Sequence, residues 1–292
     1  MDVVDAQVHF NLLGPLEAGI AIMDAVGVNA LLYDEYWAFD EHDRILPGYE
    51  LPNGAFRHVF PLAEEAALRY PERFAYLVRF DRRDPELDAL IATIGTVPGR
   101  KALRVVPWTP EGFSQFAEGA DDPVFAAAQK HEVPVFVLLP GRTRLLHRYL
   151  HKFPDVPVIV DHCGVPLVPG RLHDDHLSGF GDVLALAQYP NVALKWSHAP
   201  RLSSGTYPYP DVLAMLLRVV EAFSPERVMW GSDHSESRDH HSWAESLYYL
   251  RDTPELSHEE KAWILGRSLR TILHWPRQEG TSDEPPSTLH SL

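Results

Sequence analysis

Three side chains from distant parts of the chain, His9, His162 and Asp233, carry the chemistry most readable in this sequence. Each stands at the end of a short apolar run. His9 closes Val-Val-Asp-Ala-Gln-Val-His, His162 follows Val-Ile-Val-Asp, and Asp233 follows Val-Met-Trp-Gly-Ser. A carboxylate beside imidazoles can serve as a general base, its pKa set by burial and neighbouring charge. Arg79, Arg104 and Lys195 fall at the ends of other runs and could hold a substrate carboxylate or steady an oxyanion. Gln7, two residues before His9, could orient substrate or water, and His234 follows Asp233 directly. Structural roles compete with each of these. Asp233 could cap a helix, His162 could be a satisfied core histidine, and Lys195 and Arg104 could pair with carboxylates that tie strands together. Cys163 faces away from His162 if the strand alternates, so it is not expected to be a nucleophile.

These residues need strands to carry them. Side chains alternate faces along a strand. In the run 3–10, Asp5, Gln7 and His9 are therefore expected on one face, and Val4, Ala6, Val8 and Phe10 on the other. A face holding Asp, Gln and His suits a site better than a dry core. Eight β-rich runs recur, at 3–10, 30–36, 74–80, 101–108, 133–139, 156–162, 192–196 and 227–231. Each gap leaves room for the crossover helix that parallel strands require. Residues 16–26 end before Gly27, 62–70 end before Pro71, and 122–131 open with Asp-Pro behind Asp121, all helix signals. Eight alternations predict an α/β fold of the (β/α)8 barrel type. A doubly wound sheet competes, but no Gly-x-Gly-x-x-Gly turn follows the first run. Barrel chemistry sits at the C-terminal strand ends, where the candidate residues fall.

One barrel domain is expected over 1–277, with 257–274 as an extra helix packed outside it. The tail 278–292 is rich in Ser, Thr and Pro and is expected to be loosely attached. A long insertion at 37–61, carrying Trp37 and Tyr49, follows the second strand. In a barrel that loop lies on the active face, so Trp37 and Tyr49 are candidate substrate contacts.

The chain has 292 residues and a formal charge of −15, with 41 acidic against 26 basic side chains. That balance argues against a nucleic-acid partner, whose phosphates need a basic surface. A small-molecule substrate is expected; an anionic one would need local cations to overcome the global field. A homodimer stays open. The single cysteine precludes an internal disulfide, and no apolar run is long enough to span a membrane, so the cytoplasm is the default expectation.

The strand-end motifs resemble the amidohydrolase-related group of the amidohydrolase superfamily, over nearly the whole barrel. The resemblance rests on Val4-Asp5-Ala6-Gln7-Val8-His9-Phe10 and on Arg227-Val228-Met229-Trp230-Gly231-Ser232-Asp233. Weaker support comes from Tyr70-Pro71-Glu72-Arg73-Phe74, Val160-Asp161-His162-Cys163-Gly164 and Asn191-Val192-Ala193-Leu194-Lys195. The branch it resembles is the lactonase-like one, which holds pyrone-dicarboxylate hydrolase; the wider group also includes metal-dependent decarboxylases of aromatic acids. This implies a hydrolase of a small lactone or related cyclic or conjugated ester. Asp233 would deprotonate water, and His9 and His162 would hydrogen-bond the carbonyl. Two departures bear on the cofactor. The family's His-x-His in the first strand is Gln7-Val8-His9 here, and the histidine that usually ends the fifth strand gives way to Leu138-Leu139-Pro140. Metal-independent chemistry is therefore expected, as in the pyrone-dicarboxylate hydrolase branch. The alternative is one Zn or Mn held by His9, His162 and Asp233. Two other readings stay open. One is a decarboxylase, dehydratase or isomerase/cyclase acting on a small aromatic or polyketide-like acid. The other is a catalytically inactive binding barrel.

Overall fold

The computed structural model describes residues 1–9, 15–35, 47–167 and 174–277, with the side chains of 174–178 left aside. The strands are β1 (Val4–Val8), β2 (Ala30–Tyr33), β3 (Gly48–Glu50), β4 (Phe56–His58), β5 (Phe74–Val78), β6 (Arg100–Val105), β7 (Val135–Val137), β8 (Val158–Val160), β9 (Val192–Ser197) and β10 (Val228–Gly231). Eight of them form one parallel sheet in the order β1-β2-β5-β6-β7-β8-β9-β10, with helices between, and the sheet curls into a nearly closed (β/α)8 barrel. Every predicted run supplies one of these strands, with ends shifted by up to a few residues.

The sequence explains why this arrangement holds. The outer face carries large apolar residues such as Tyr33, Phe74, Trp196 and Trp230, all buried under helices. Helix Pro210–Phe223 meets it with Val212, Met215, Leu216, Val219, Val220 and Phe223, spaced three and four apart. The inner face sets five alanines, Ala6, Ala30, Ala75, Ala102 and Ala193, beside Leu32, Leu77, Ile159, Phe136 and Met229, small groups making room for large ones. Leu269, Leu273 and Trp275 join this inner cluster, so the C-terminal helix stoppers the lower mouth rather than lying outside the barrel. Its approach is close enough that a Cβ on Gly266 would lie 2.2 Å from the Asp2 carbonyl oxygen.

Strand β1 departs from simple alternation. Asp5 pairs with Leu31 and Val8 with Tyr33, so three steps on β1 match two on β2. This bulge changes the facing of everything after it. Val4 and Ala6 lie in the inner cluster, while Val8 belongs to the outer one. Asp5 is not a site residue. It staples the seam between β10 and β1, accepting from the Ser232 N–H at 2.8 Å, the Gln7 N–H at 3.0 Å and Trp243 Nε1 at 2.8 Å. The Asp233 N–H crosses the same seam to the Gln7 carbonyl at 2.9 Å.

Burial pushes the Asp5 carboxyl up to about 6, against those hydrogen bonds. A raised folded-state value means that the folded chain holds this proton more tightly than the unfolded one. The contribution is complete below about 4 and lost as pH rises through 6, a swing on the order of 3 kcal/mol. The stability difference between wild type and Asp5→Asn, from urea unfolding, should fall between pH 4 and 6 and be level above. A difference independent of pH would show that Asp5 titrates normally.

Within the insertion, β3 and β4 form an antiparallel hairpin clamped to the loop after β5. Arg57 donates to Asp84 at 2.6 and 2.8 Å, and the Phe56 N–H donates to Asp81 at 3.0 Å. Trp37 and the tail 278–292 lie outside the described residues. No helix among the described residues is long and apolar enough to cross a membrane.

Candidate active site

The upper half of the barrel interior is polar and is built in two tiers. The lower tier is an ion network. Arg104, on β6, donates through Nε to Asp161 at 2.7 Å and through a second nitrogen to Asp34. Lys195, on β9, reaches the other Asp161 oxygen at 2.6 Å. Arg79 clasps Asp34 through Nε and a terminal nitrogen. All four side chains of the Arg104–Asp34–Asp161–Lys195 set are fully buried. Burial works against the charge on Asp34, but the Arg79 and Arg104 guanidiniums hold its carboxyl well below the usual range. Burial likewise opposes charge on Asp161, and Arg104 and Lys195 outweigh it. Burial draws the Lys195 ammonium down to about 8, with Asp161 resisting, so it remains a cation at neutral pH.

This network fixes protons one step higher. An ammonium can only donate, so the Gln7 atom 2.5 Å from Lys195 Nζ is the carbonyl oxygen. The Gln7 amide nitrogen then donates to His9 Nε2 at 3.1 Å. His9 must carry its own proton on Nδ1, which donates to the Asp34 carbonyl oxygen at 2.9 Å. The lone pair of His9 Nε2 is thereby occupied. His162 is set the same way. Arg104 donates to its Nε2 at 3.4 Å, and its Nδ1 faces Ser197 Oγ at 2.8 Å. Burial, helped by Lys195 and Arg104, pushes His162 well below the ordinary imidazole value, and burial lowers His9 too, so both are neutral.

The upper tier is made by residues one or two positions beyond the ends of three strands. His162 (φ 48°), His198 (φ 64°) and Asp233 (φ 51°) all take left-handed backbone conformations. Such conformations are costly for residues other than glycine and cluster where function over-determines them. His198 Nδ1 lies 2.6 Å from Asp233 Oδ2, and both residues are buried. A second Asp233 contact runs from Oδ1 to His9 Nε2 at 3.9 Å, and a third from Oδ2 to His162 Nδ1 at 4.0 Å. Asp233 Oδ1 itself accepts no hydrogen bond. His9, His162 and Asp233 thus meet at one mouth, as the sequence predicts.

The other predicted residues divide. Gln7, Arg104 and Lys195 support the imidazoles from below. All the hydrogen bonds that Arg104 and Lys195 make go to groups within the network. Among the described residues, one terminal nitrogen of Arg79 makes no hydrogen bond and the side chain is 14% exposed, so of these three cations it is the one placed to bind an anion. His234 is half-buried and stacks on Trp243, rings 5.5 Å apart and 7° from parallel. Tyr49 is half-exposed on the hairpin. His198 is reached by strand-by-strand reading only as the position beyond Lys195 and Ser197, and it is not among the predicted site residues. It lies one step beyond the end of β9, and the visible signal is an imidazole at a left-handed turn position.

Among the described residues, one group offers donor atoms close enough for a metal ion: His162, His198 and Asp233, within 4.8 Å of one another. His198 stands in this group where the sequence predicts His9. The number of donors suits one ion, but not through His198 Nδ1 and Asp233 Oδ2 together as they stand. Two atoms bound to one tetrahedral zinc at ~2.0–2.1 Å lie about 3.3 Å apart. His198 and Asp233 are joined at 2.6 Å by a direct hydrogen bond. An ion would have to break that pair, and His9 offers no lone pair in exchange.

A family model described as amidohydrolase matches residues 5–268. Solved structures with the same fold include a zinc-bound amidohydrolase from Burkholderia multivorans, with TM-score 0.74 and 18% identity over 94% of this chain and 100% of that one. A Pseudomonas putida protein assigned as a 2-pyrone-4,6-dicarboxylic acid hydrolase gives 0.69 and 17%, over 95% and 99%. The 5-carboxyvanillate decarboxylase of Sphingomonas paucimobilis gives 0.62 and 17%, over 94% and 99%. No curated protein matches significantly.

Proposed function

This chain belongs to the amidohydrolase family, and from that premise we propose that it hydrolyses a small, carboxylate-bearing lactone or related cyclic ester without a metal. One observation carries the metal-free part. The Lys195–Gln7–His9 chain places an ammonium and an amide where metal-binding relatives would need imidazole lone pairs. Among the described residues, the ion network below the imidazoles sets three cations, Arg79, Arg104 and Lys195, against two carboxylates, Asp34 and Asp161, which weakens the pull on a divalent ion.

In the proposed reaction the substrate carboxylate docks on Arg79, through the terminal nitrogen that Asp34 leaves free. The ester carbonyl then lies over the Asp233–His198 pair, which activates the attacking water. His9 and His162, both neutral and locked by Gln7 and Arg104, wall the site in fixed positions. The left-handed turns at His162, His198 and Asp233 support chemistry over an inert barrel, because backbone strain of this kind is kept at working sites.

A decarboxylase is the second reading, favoured by the fold shared with 5-carboxyvanillate decarboxylase and by the same proton-moving pair. The two are separated by offering a panel of lactones, beginning with 2-pyrone-4,6-dicarboxylate, in oxygen-18 water. Hydrolysis places one heavy oxygen in the product carboxylate. Release of carbon dioxide with no heavy oxygen in the organic product would replace the hydrolase reading.

A further inference from the structure

Asp233 is the expected base, yet its geometry suits a different task. Its Oδ1 is sealed from solvent and makes no hydrogen bond, while its Oδ2 is committed to His198 Nδ1 at 2.6 Å. A carboxylate accepts, so the proton in that bond sits on His198 Nδ1. Ser237 Oγ, 3.4 Å from the same nitrogen, adds a second neighbour on that side. The other nitrogen, Nε2, is then a lone pair. It makes no hydrogen bond, and it is not among the nitrogen atoms shut away from solvent. Among the three imidazoles of the site, His9 and His162 have their Nε2 lone pairs filled by Gln7 and Arg104. His198 alone presents an open one.

We propose that His198 Nε2 is the atom that takes the proton from water, with Asp233 as the positioning residue that fixes its tautomer and steadies the imidazolium. This rests on the hydrolase reading above and changes which atom does the work. Water oxygen forms a bond to the carbonyl carbon as its proton passes to Nε2, and the carbonyl π pair moves onto oxygen. The tetrahedral intermediate collapses, the ring C–O bond breaks, and the departing oxygen takes the proton back from Nε2. One water is consumed, the ring opens to a carboxylic acid, and His198 ends neutral. The arrangement is the carboxylate–imidazole half of a hydrolytic triad, with water in place of a side-chain nucleophile.

The backbone supplies a clean test. At φ 64°, glycine is the residue that the turn accepts with least strain, so His198→Gly should fold at least as well as wild type. It also leaves a hole shaped for an imidazole. With a lactone that wild type turns over, His198→Gly should lose about 100-fold or more in kcat. Added imidazole should restore at least about tenfold of that loss, with KM little changed. A purely structural histidine would show no such rescue. Activity within about threefold of wild type, or a folded, inactive variant indifferent to imidazole, would overturn the proposal. A second measurement needs no substrate. Nitrogen-15 NMR of the histidine-labelled full-length chain should show rings with the proton on Nδ1 at His9 and His162 as well as at His198, and one such signal should vanish in His198→Gly. The opposite tautomer at His198, or one zinc per chain lost in the same variant, would overturn it too. If no lactone is turned over, the hydrolase reading fails by itself, and the tautomer still decides the role of His198.

Discussion

Replacing Asp233 with asparagine should lower kcat by roughly 10²–10⁴ while leaving the fold intact. The backbone duties of Asp233 survive the change. Its N–H still crosses the seam to Gln7, its carbonyl still receives the Glu236 and Ser237 N–H groups, and asparagine tolerates a φ of 51°. What changes is the proton on the neighbouring ring. An asparagine amide can turn its NH2 toward His198 Nδ1, which would then have to accept. The proton moves to Nε2 and the open lone pair is gone. A wrong tautomer of this kind is what disables a serine-protease triad when its aspartate becomes asparagine. Steady-state kinetics and circular dichroism together check this. Turnover within about threefold of wild type would remove Asp233 from the mechanism.

The second large effect falls on stability. Arg104→Met should destabilise the chain by about 3–5 kcal/mol, because it leaves Asp34 and Asp161 short of a partner in a fully buried place. The melting temperature should fall by roughly 10 °C. Arg104 also donates to His162 Nε2, so turnover should fall as well. The deficit depends on pH with a definite sign. Both carboxyls are held below their ordinary values, so wild type draws stability from them above about pH 4 and loses it as pH falls. The gap between wild type and variant should therefore narrow in acid. Lys130→Ala is the control: its Asp88 pair is mostly exposed, so its loss should be far smaller than that of Arg104→Met. Calorimetry of the two variants decides the matter, and equal losses would refute a special role for the buried network.

The eight barrel strands were legible because parallel strands covered on both faces read as short apolar runs at helix-length spacing. Strand-end position then placed His9, His162 and Asp233 together. Three features were not legible, each for its own reason. The facing of Asp5 follows from a bulge that strict alternation cannot represent. The lock on His9 needs Gln7 and Lys195 to meet across the barrel interior, a contact between residues 188 positions apart. His198 sits one residue past its strand, and what marks it out is its hydrogen bond to Asp233, a contact between loops of different strands. The hairpin at 48–58 could have been found. Asn53-Gly54 is a turn signal, but the flanking segments are exposed or half-exposed and show no apolar alternation.

The metal-free pocket is tested most directly by lactone turnover before and after exhaustive chelation, with metal content measured on the same sample. A site closed to metals by the Gln7–His9 lock should keep its full rate with far less than one metal per chain. Activity abolished by chelation and restored by zinc or manganese would contradict it.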